Sequence, residues 1–212
     1  MTHHTRVKIC GITRVEDAQL SEQLGADALG FVFVKASKRF ITPEASRAIS
    51  DQVAPFITRV GLFLNAPVQE VTQALNVMPG MLPQFHGQET PADCDRYGVP
   101  YLKAIGLGGG MPSLESLQAY KHAMAFLFDS NEPGQLGGTG HAFDWQKLDK
   151  NIGKPLILAG GLNADNAGSA IEQVRPYALD VSSGVEASKG VKDHPALRSF
   201  MSAVRQKDAE LS

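Results

Sequence analysis

Eight short apolar runs, spread along the whole chain and each followed by a helical pattern, constrain the fold of this sequence more than any other feature. The runs are RVKICGI (6–12), ALGFVF (28–33), ITRVGLF (57–63), MLPQFHG (81–87), YLKAIGL (101–107), AFLFDS (125–130), PLILAGG (155–161) and ALDVSSG (178–184). Each is nearly continuous rather than alternating, which is the pattern of parallel strands buried on both faces. The segments between them carry helix signals. Thr13-Arg14-Val15-Glu16 has capping-box spacing before a periodic stretch ending at Gly25. Thr42-Pro43 and Thr90-Pro91 set an N-cap before a proline at the first helical position, and Pro67 opens a further helix. Asp144 and Asn163 can cap two more, the second running to Val174. Pro195 starts a last helix through Val204, and the polar tail beyond it reads as fraying.

Eight strand signals alternating with helix signals predict an α/β fold, a (β/α)8 TIM barrel, as a single domain over residues 1–212. Closure removes the edge strands that an open sheet would have to protect. A doubly wound open sheet is the competitor. It would normally show G-x-G-x-x-G after the first strand, where this chain has CGIT. Gly108-Gly109-Gly110 lacks the lysine and hydroxyl of a P-loop and reads as a flexible loop.

The remaining composition narrows the partners. A net charge of -2 offers no basic footprint for nucleic acid. No apolar run reaches the ~18 residues of a membrane span, and MTHHTRVKICGI contains no signal-peptide core. Cys10 and Cys94 form no C-x-x-C pair, so the chain reads as cytoplasmic and free of disulfides.

In such barrels the active site lies at the carboxyl ends of the strands. Those ends supply Cys10, His86, Asp129-Ser130, Gly160-Gly161 and Ser182-Ser183-Gly184, and the loop after the second strand supplies Ser37-Lys38-Arg39. The glycines and serines ending strands seven and eight occupy the two loops that commonly hold phosphate in this fold, since glycine lets backbone N–H groups approach an anion. The bland alternative is a pair of tight turns. Asp129 closes an apolar strand as a helix cap, a salt-bridge partner or, with a pKa raised by burial, a general acid. Cys10 is either a small buried hydrophobe or a reagent whose thiolate is favoured by helix N-termini or cations. Cys94, inside ADCDRY, reads as structural. His86 is a substrate contact or a satisfied histidine. Arg39 is a surface residue or a two-pronged anchor for a carboxylate.

KICGIT with Cys10, SKRFIT with Arg39, FHG at 85–87, LFDS with Asp129, GGTGHAFDW at 137–145, LAGGLNADN at 158–166 and DVSSGVE at 180–186 occur in this order. In these motifs the chain resembles the phosphoribosylanthranilate isomerase family of tryptophan biosynthesis along nearly its whole length. The resemblance implies a barrel of this size and an Amadori rearrangement of N-(5-phosphoribosyl)anthranilate to 1-(2-carboxyphenylamino)-1-deoxyribulose 5-phosphate. It implies no metal and no cofactor, a small phosphorylated substrate as the partner, and a monomer or homodimer. Carried onto this sequence, it implies Cys10 as general base and Asp129 as general acid. It sets phosphate contacts at Gly160-Gly161 and Ser182, Ser183 and Gly184, and the anthranilate carboxylate at Arg39. Three departures stand out: QFHG has phenylalanine where the family pattern implies leucine, SKR stands where SPR is implied, and the fifth strand continues as AIGLGGGMPS, a glycine-rich loop that matches no family role.

Rival readings are weaker. The histidine-pathway Amadori isomerase uses two aspartates, against Cys10 here. A metal-dependent pentose-phosphate epimerase needs more histidines and carboxylates at strand ends than His86 and Asp129. A silent phosphate binder would have no need of both proton-transfer residues.

Overall fold

The computed structural model describes residues 4–108, 110–130, 148 and 151–212. Eight parallel strands close a barrel in sequence order: β1 (Arg6–Cys10), β2 (Ala28–Val32), β3 (Thr58–Phe63), β4 (Leu82–Phe85), β5 (Tyr101–Gly106), β6 (Ala123–Asp129), β7 (Leu156–Leu158) and β8 (Ala178–Val181). The last strand pairs with the first, Lys8 opposite Asp180 and Ile9 opposite Val181. All eight expected strands form, and the (β/α)8 reading holds. Outside the barrel lie α1 (Val15–Gln23), α2 (Pro43–Ser50), α3 (Val68–Val77), α4 (Pro91–Asp95), α5 (Leu114–Gln118), α6 (Ala167–Val174) and α7 (His194–Glu210). Among the described residues, no helix is long and apolar enough to cross a membrane.

Two apolar layers result from the strand alternation. Val60, Leu102, Ala104, Ala125, Leu127, Ile157, Ala159 and Ala178 fill the barrel interior. The alternate positions face the helices and join the large outer core, which includes Ile9, Leu29, Phe31, Phe63, Phe85 and Phe126. In that outer layer Phe85 stacks on Tyr97 at 5.8 Å between ring centroids and meets Tyr101 edge-on at 5.6 Å. Phe63 lies 6.2 Å away. The phenylalanine of QFHG therefore anchors β4 in an aromatic cluster, which holds its neighbours Gln84 and His86 toward the inside.

Several local expectations are met and others are corrected. Thr42 accepts from Ala45 N–H, and Thr90 with Asp93 makes a full capping box. Thr13 does not cap α1: its hydroxyl donates to Gly190 O, a contact 177 residues away in sequence that outweighs the local signal. Asn163 caps the turn before α6 through Asp165 and Asn166 N–H, so that helix starts later than its signal. Gly110 N–H closes a turn on Leu107 O, whereas Gly109, GGTGHAFDW and Asp144 lie outside the described residues. A β-hairpin between the last barrel strand and α7, β9 (Glu186–Ser188) with β10 (Val191–Lys192), has no counterpart among the strand signals of the sequence.

The C-terminal tail is helical to Glu210 rather than frayed. The reason is Asp208, buried on the inner face of α7. Its carboxylate accepts from Thr5 N–H and Thr5 Oγ1, both at 2.7 Å, and so ties the last helix to the entry of the first strand. Replacing Asp208 with alanine is expected to destabilise the fold by about 2–3 kcal/mol, because two charge-assisted hydrogen bonds are lost in a buried place. Urea unfolding of the variant checks this, as a lower midpoint at an unchanged slope.

Candidate active site

The polar residues of the strand ends converge on one rim. Cys10 ends β1 among Val32 and Leu62, at the top of the barrel interior. Gly11 follows with φ of +80°, and a Cβ there would lie 2.6 Å from Arg39 Cδ. Glycine after the cysteine thus lets the Arg39 stem cross the end of β1. Arg39 is buried rather than a surface residue. Its Nε and Nη2 grip Glu186 Oε1 and Oε2 at 2.9 and 2.8 Å.

Beneath the thiol lies charge that the strand-end residues alone do not reveal. Lys8, two residues before Cys10 and on the same face of β1, pairs with Asp180 at 2.8 Å, both side chains buried. Lys192 comes in from the hairpin. Its Nζ donates to Cys10 O at 2.5 Å, to Ser182 O at 3.4 Å and to Glu186 Oε1 at 3.1 Å. The cations expected beside a reactive thiol are therefore present. They do not prevail: burial pushes the Cys10 thiol above its ordinary value, and Lys8 and Lys192 only partly oppose it. Lys192 is itself lowered, since burial outweighs its pairing with Glu186.

Across the rim, His86 at the end of β4 reaches over β5 toward β6. Its Nε2 lies 3.6 Å from Asp129 Oδ2, and its Nδ1 lies 3.1 Å from Gln84 Nε2. In register, β5 presents Gly106 opposite Asp129, so no side chain of β5 stands there. Asp129 is buried, at 7% exposure. Cys94 has no place in this rim. It is buried in α4, with its thiol pushed up to about 12 by burial, in keeping with its structural reading.

The loops after β7 and β8 are pressed together. Gly160 and Gly161 have φ of +85° and +65°. Ser183–Val185 forms a 3₁₀ turn, and a Cβ on Gly184 would stand 1.9 Å from Leu162 O. The hydroxyls of Ser130 and Ser182 are buried here without a partner among the described residues. Buried polar atoms in native proteins are usually answered, so two open hydroxyls at this rim fit an anionic ligand. Among the described residues, no group of three or more His, Cys, Asp or Glu could hold a metal ion.

The rim gathers Cys10, Arg39, His86, Asp129 and the Gly160-Gly161 and Ser182–Gly184 loops. Sequence reasoning misses Lys8, Gln84, Asp180, Glu186 and Lys192. Three of them carry a signal: Lys8, Gln84 and Asp180 are polar residues inside apolar strands, each two positions before a rim residue (Cys10, His86, Ser182). That spacing puts each on the same face, one layer down.

A closed eight-stranded barrel with a buried carboxyl, a thiol over cations and a glycine–serine cradle on its carboxyl rim defines an enzyme-type α/β barrel. The family model for N-(5'-phosphoribosyl)anthranilate isomerase matches residues 7–203. An N-(5'-phosphoribosyl)anthranilate isomerase of Pseudomonas putida is 50% identical over 203 residues, covering 96% of this chain and 98% of the relative. A crystal structure of a phosphoribosyl anthranilate isomerase in complex with reduced 1-(o-carboxyphenylamino)-1-deoxyribulose 5-phosphate aligns with a TM-score of 0.81 at 37% identity, covering 96% of this chain and all of that one. Monomers generated from the dimeric enzyme of Thermotoga maritima align with a TM-score of 0.81 at 36% identity, with the same coverage. The chain belongs to the N-(5'-phosphoribosyl)anthranilate isomerase family.

Proposed function

We propose that this chain, an isomerase of N-(5-phosphoribosyl)anthranilate by family, runs the rearrangement with Asp129 as general acid and Cys10 as general base. As the anthranilate nitrogen pushes the ribose ring open, the Asp129 proton goes to the ring oxygen. The resulting Schiff base acidifies the neighbouring C–H. Cys10, as thiolate, takes that proton and leaves an enolamine, which tautomerises to the C2 ketone. The observation that carries the reading is the rim itself: a thiol above two buried ammonium groups stands on the same barrel mouth as a buried carboxyl that faces a histidine.

The phosphate belongs in the Gly160-Gly161 and Ser182–Gly184 cradle, where the open hydroxyls of Ser130 and Ser182 supply donors. Held there, it is a remote handle whose binding energy positions the reacting carbons between acid and base. Glu186 engages Nε and Nη2 of Arg39, which leaves Nη1 for the anthranilate carboxylate. His86 contacts the substrate from the Asp129 side. The two free cysteines suit a reducing cytoplasm. The working unit is a monomer or a homodimer.

The test is turnover of N-(5-phosphoribosyl)anthranilate, followed as loss of its anthranilate-type fluorescence. Rapid loss that persists in chelator is expected. Thiol alkylation should abolish it, and bound product should protect. Full activity after stoichiometric alkylation of Cys10 would overturn the role given to the thiol.

A further inference from the structure

We propose that Gln84 is a positioning residue that sets the tautomer of His86, and through it decides which oxygen of Asp129 carries the acid proton. The inference rests on Asp129 acting as the acid, and it adds a residue that neither the motifs nor the reaction singled out.

Gln84 is completely buried, two residues before His86 and on the inner face of β4. Its Nε2 stands 3.1 Å from His86 Nδ1. An amide nitrogen donates and has no lone pair to accept with, so Nδ1 is the bare nitrogen of the pair. The neutral imidazole then carries its hydrogen on Nε2, the atom that looks at Asp129 Oδ2 from 3.6 Å. That separation is long for a hydrogen bond, and contacts of this kind tighten when substrate closes the site. An N–H aimed at Oδ2 makes that oxygen the acceptor. The carboxyl proton is thereby directed to Oδ1, and after its transfer the same N–H stabilises the carboxylate.

Two further observations favour this over simple packing. Gln84 Oε1 is buried with no partner among the described residues, so the side chain costs stability that leucine or methionine would not. And Phe85 is locked into the outer aromatic cluster between Tyr97 and Tyr101, which keeps both Gln84 and His86 turned inward. The strand is built to hold this pair in one orientation.

The experiment reads the tautomer directly. Long-range ¹H–¹⁵N spectra of uniformly ¹⁵N-labelled protein, above the imidazole titration range, report which ring nitrogen is protonated. The His86 signals, among six histidines, are assigned by their loss in His86→Gln. The expected result is a bare Nδ1 and a protonated Nε2; protonation on Nδ1 would overturn the proposal. Gln84→Met removes the donor at similar length. It is expected to mix the tautomers and to lower kcat about tenfold while KM stays within about twofold, the size of one neutral hydrogen bond lost from the transition state. An unchanged kcat, or a fall matched by a rise in KM, would count against a positioning role. Should Gln84→Met fail to fold, the wild-type spectrum still decides. Loss of the acid assignment itself would show separately, as turnover surviving in Asp129→Asn, and leaves the tautomer readout untouched.

Discussion

Asp129→Asn is expected to lower kcat by about 10² to 10⁴ with KM little changed, the usual contribution of a positioned proton donor. The asparagine keeps the size of the side chain and its place beneath the rim but has no acidic proton to give to the ribose oxygen. Cys10→Ser is expected to fall by a similar factor for the complementary reason, since a serine hydroxyl is far too weak an acid to be deprotonated there. The two variants separate in their pH profiles. In the parent protein, burial holds the Cys10 thiol above its ordinary pKa. The base form therefore gains population as pH rises, and kcat/KM should climb from neutral into the alkaline range. Asp129→Asn retains that alkaline rise at its lower level, because the base is intact, and Cys10→Ser loses it. Steady-state kinetics against pH checks both. A Cys10→Ser enzyme that still climbs with the same midpoint would show that another group is the base.

Gly184→Ala should produce the second large effect, and on binding rather than on proton transfer. An alanine Cβ at this position would stand 1.9 Å from Leu162 O and 2.9 Å from Leu162 C, both backbone atoms that cannot swing aside. The loops after β7 and β8 must separate, and with them the Gly160-Gly161 and Ser182–Ser183 halves of the anion cradle. KM for the phosphorylated substrate should rise by at least about tenfold, with a stability loss of about 1–3 kcal/mol from the forced backbone shift. Competitive inhibition by inorganic phosphate should weaken in parallel. A KM near the parent value, in a protein that melts normally, would place the phosphate elsewhere. The pattern is the reverse of that for Asp129→Asn, so the two experiments together distinguish the handle from the chemistry.

Much of this molecule is legible in its amino-acid sequence. The eight strands follow from the period of the apolar runs, because a strand buried on both faces must be apolar at nearly every position, and closure is the arrangement of them that leaves no edge strand. Cys10, His86, Asp129 and the glycine–serine pairs fall on one rim for the same reason, since parallel strands in a closed barrel all deliver their carboxyl ends to the same side. A polar residue two positions before a rim residue is a readable sign as well. Lys8, Gln84 and Asp180 each interrupt an apolar strand, and a barrel strand has no inexpensive place for a polar side chain.

Contacts between segments far apart in sequence decided the rest. Thr13 has capping-box spacing, yet its hydroxyl turns to Gly190 across the hairpin. Arg39 reads from its loop as either a surface residue or a carboxylate anchor, and only Glu186, 147 positions away, shows it buried and held. The last helix holds its final turns because Asp208 meets Thr5 across 203 positions. The state of the Cys10 thiol likewise depends on burial set against Lys8 and Lys192, one a neighbour in the strand and the other 182 residues away. Local sequence determines backbone period, and period is enough to count and orient the strands of a barrel. Charge pairing and pKa depend on distances between side chains brought together by closure, and those distances exist only in the folded chain.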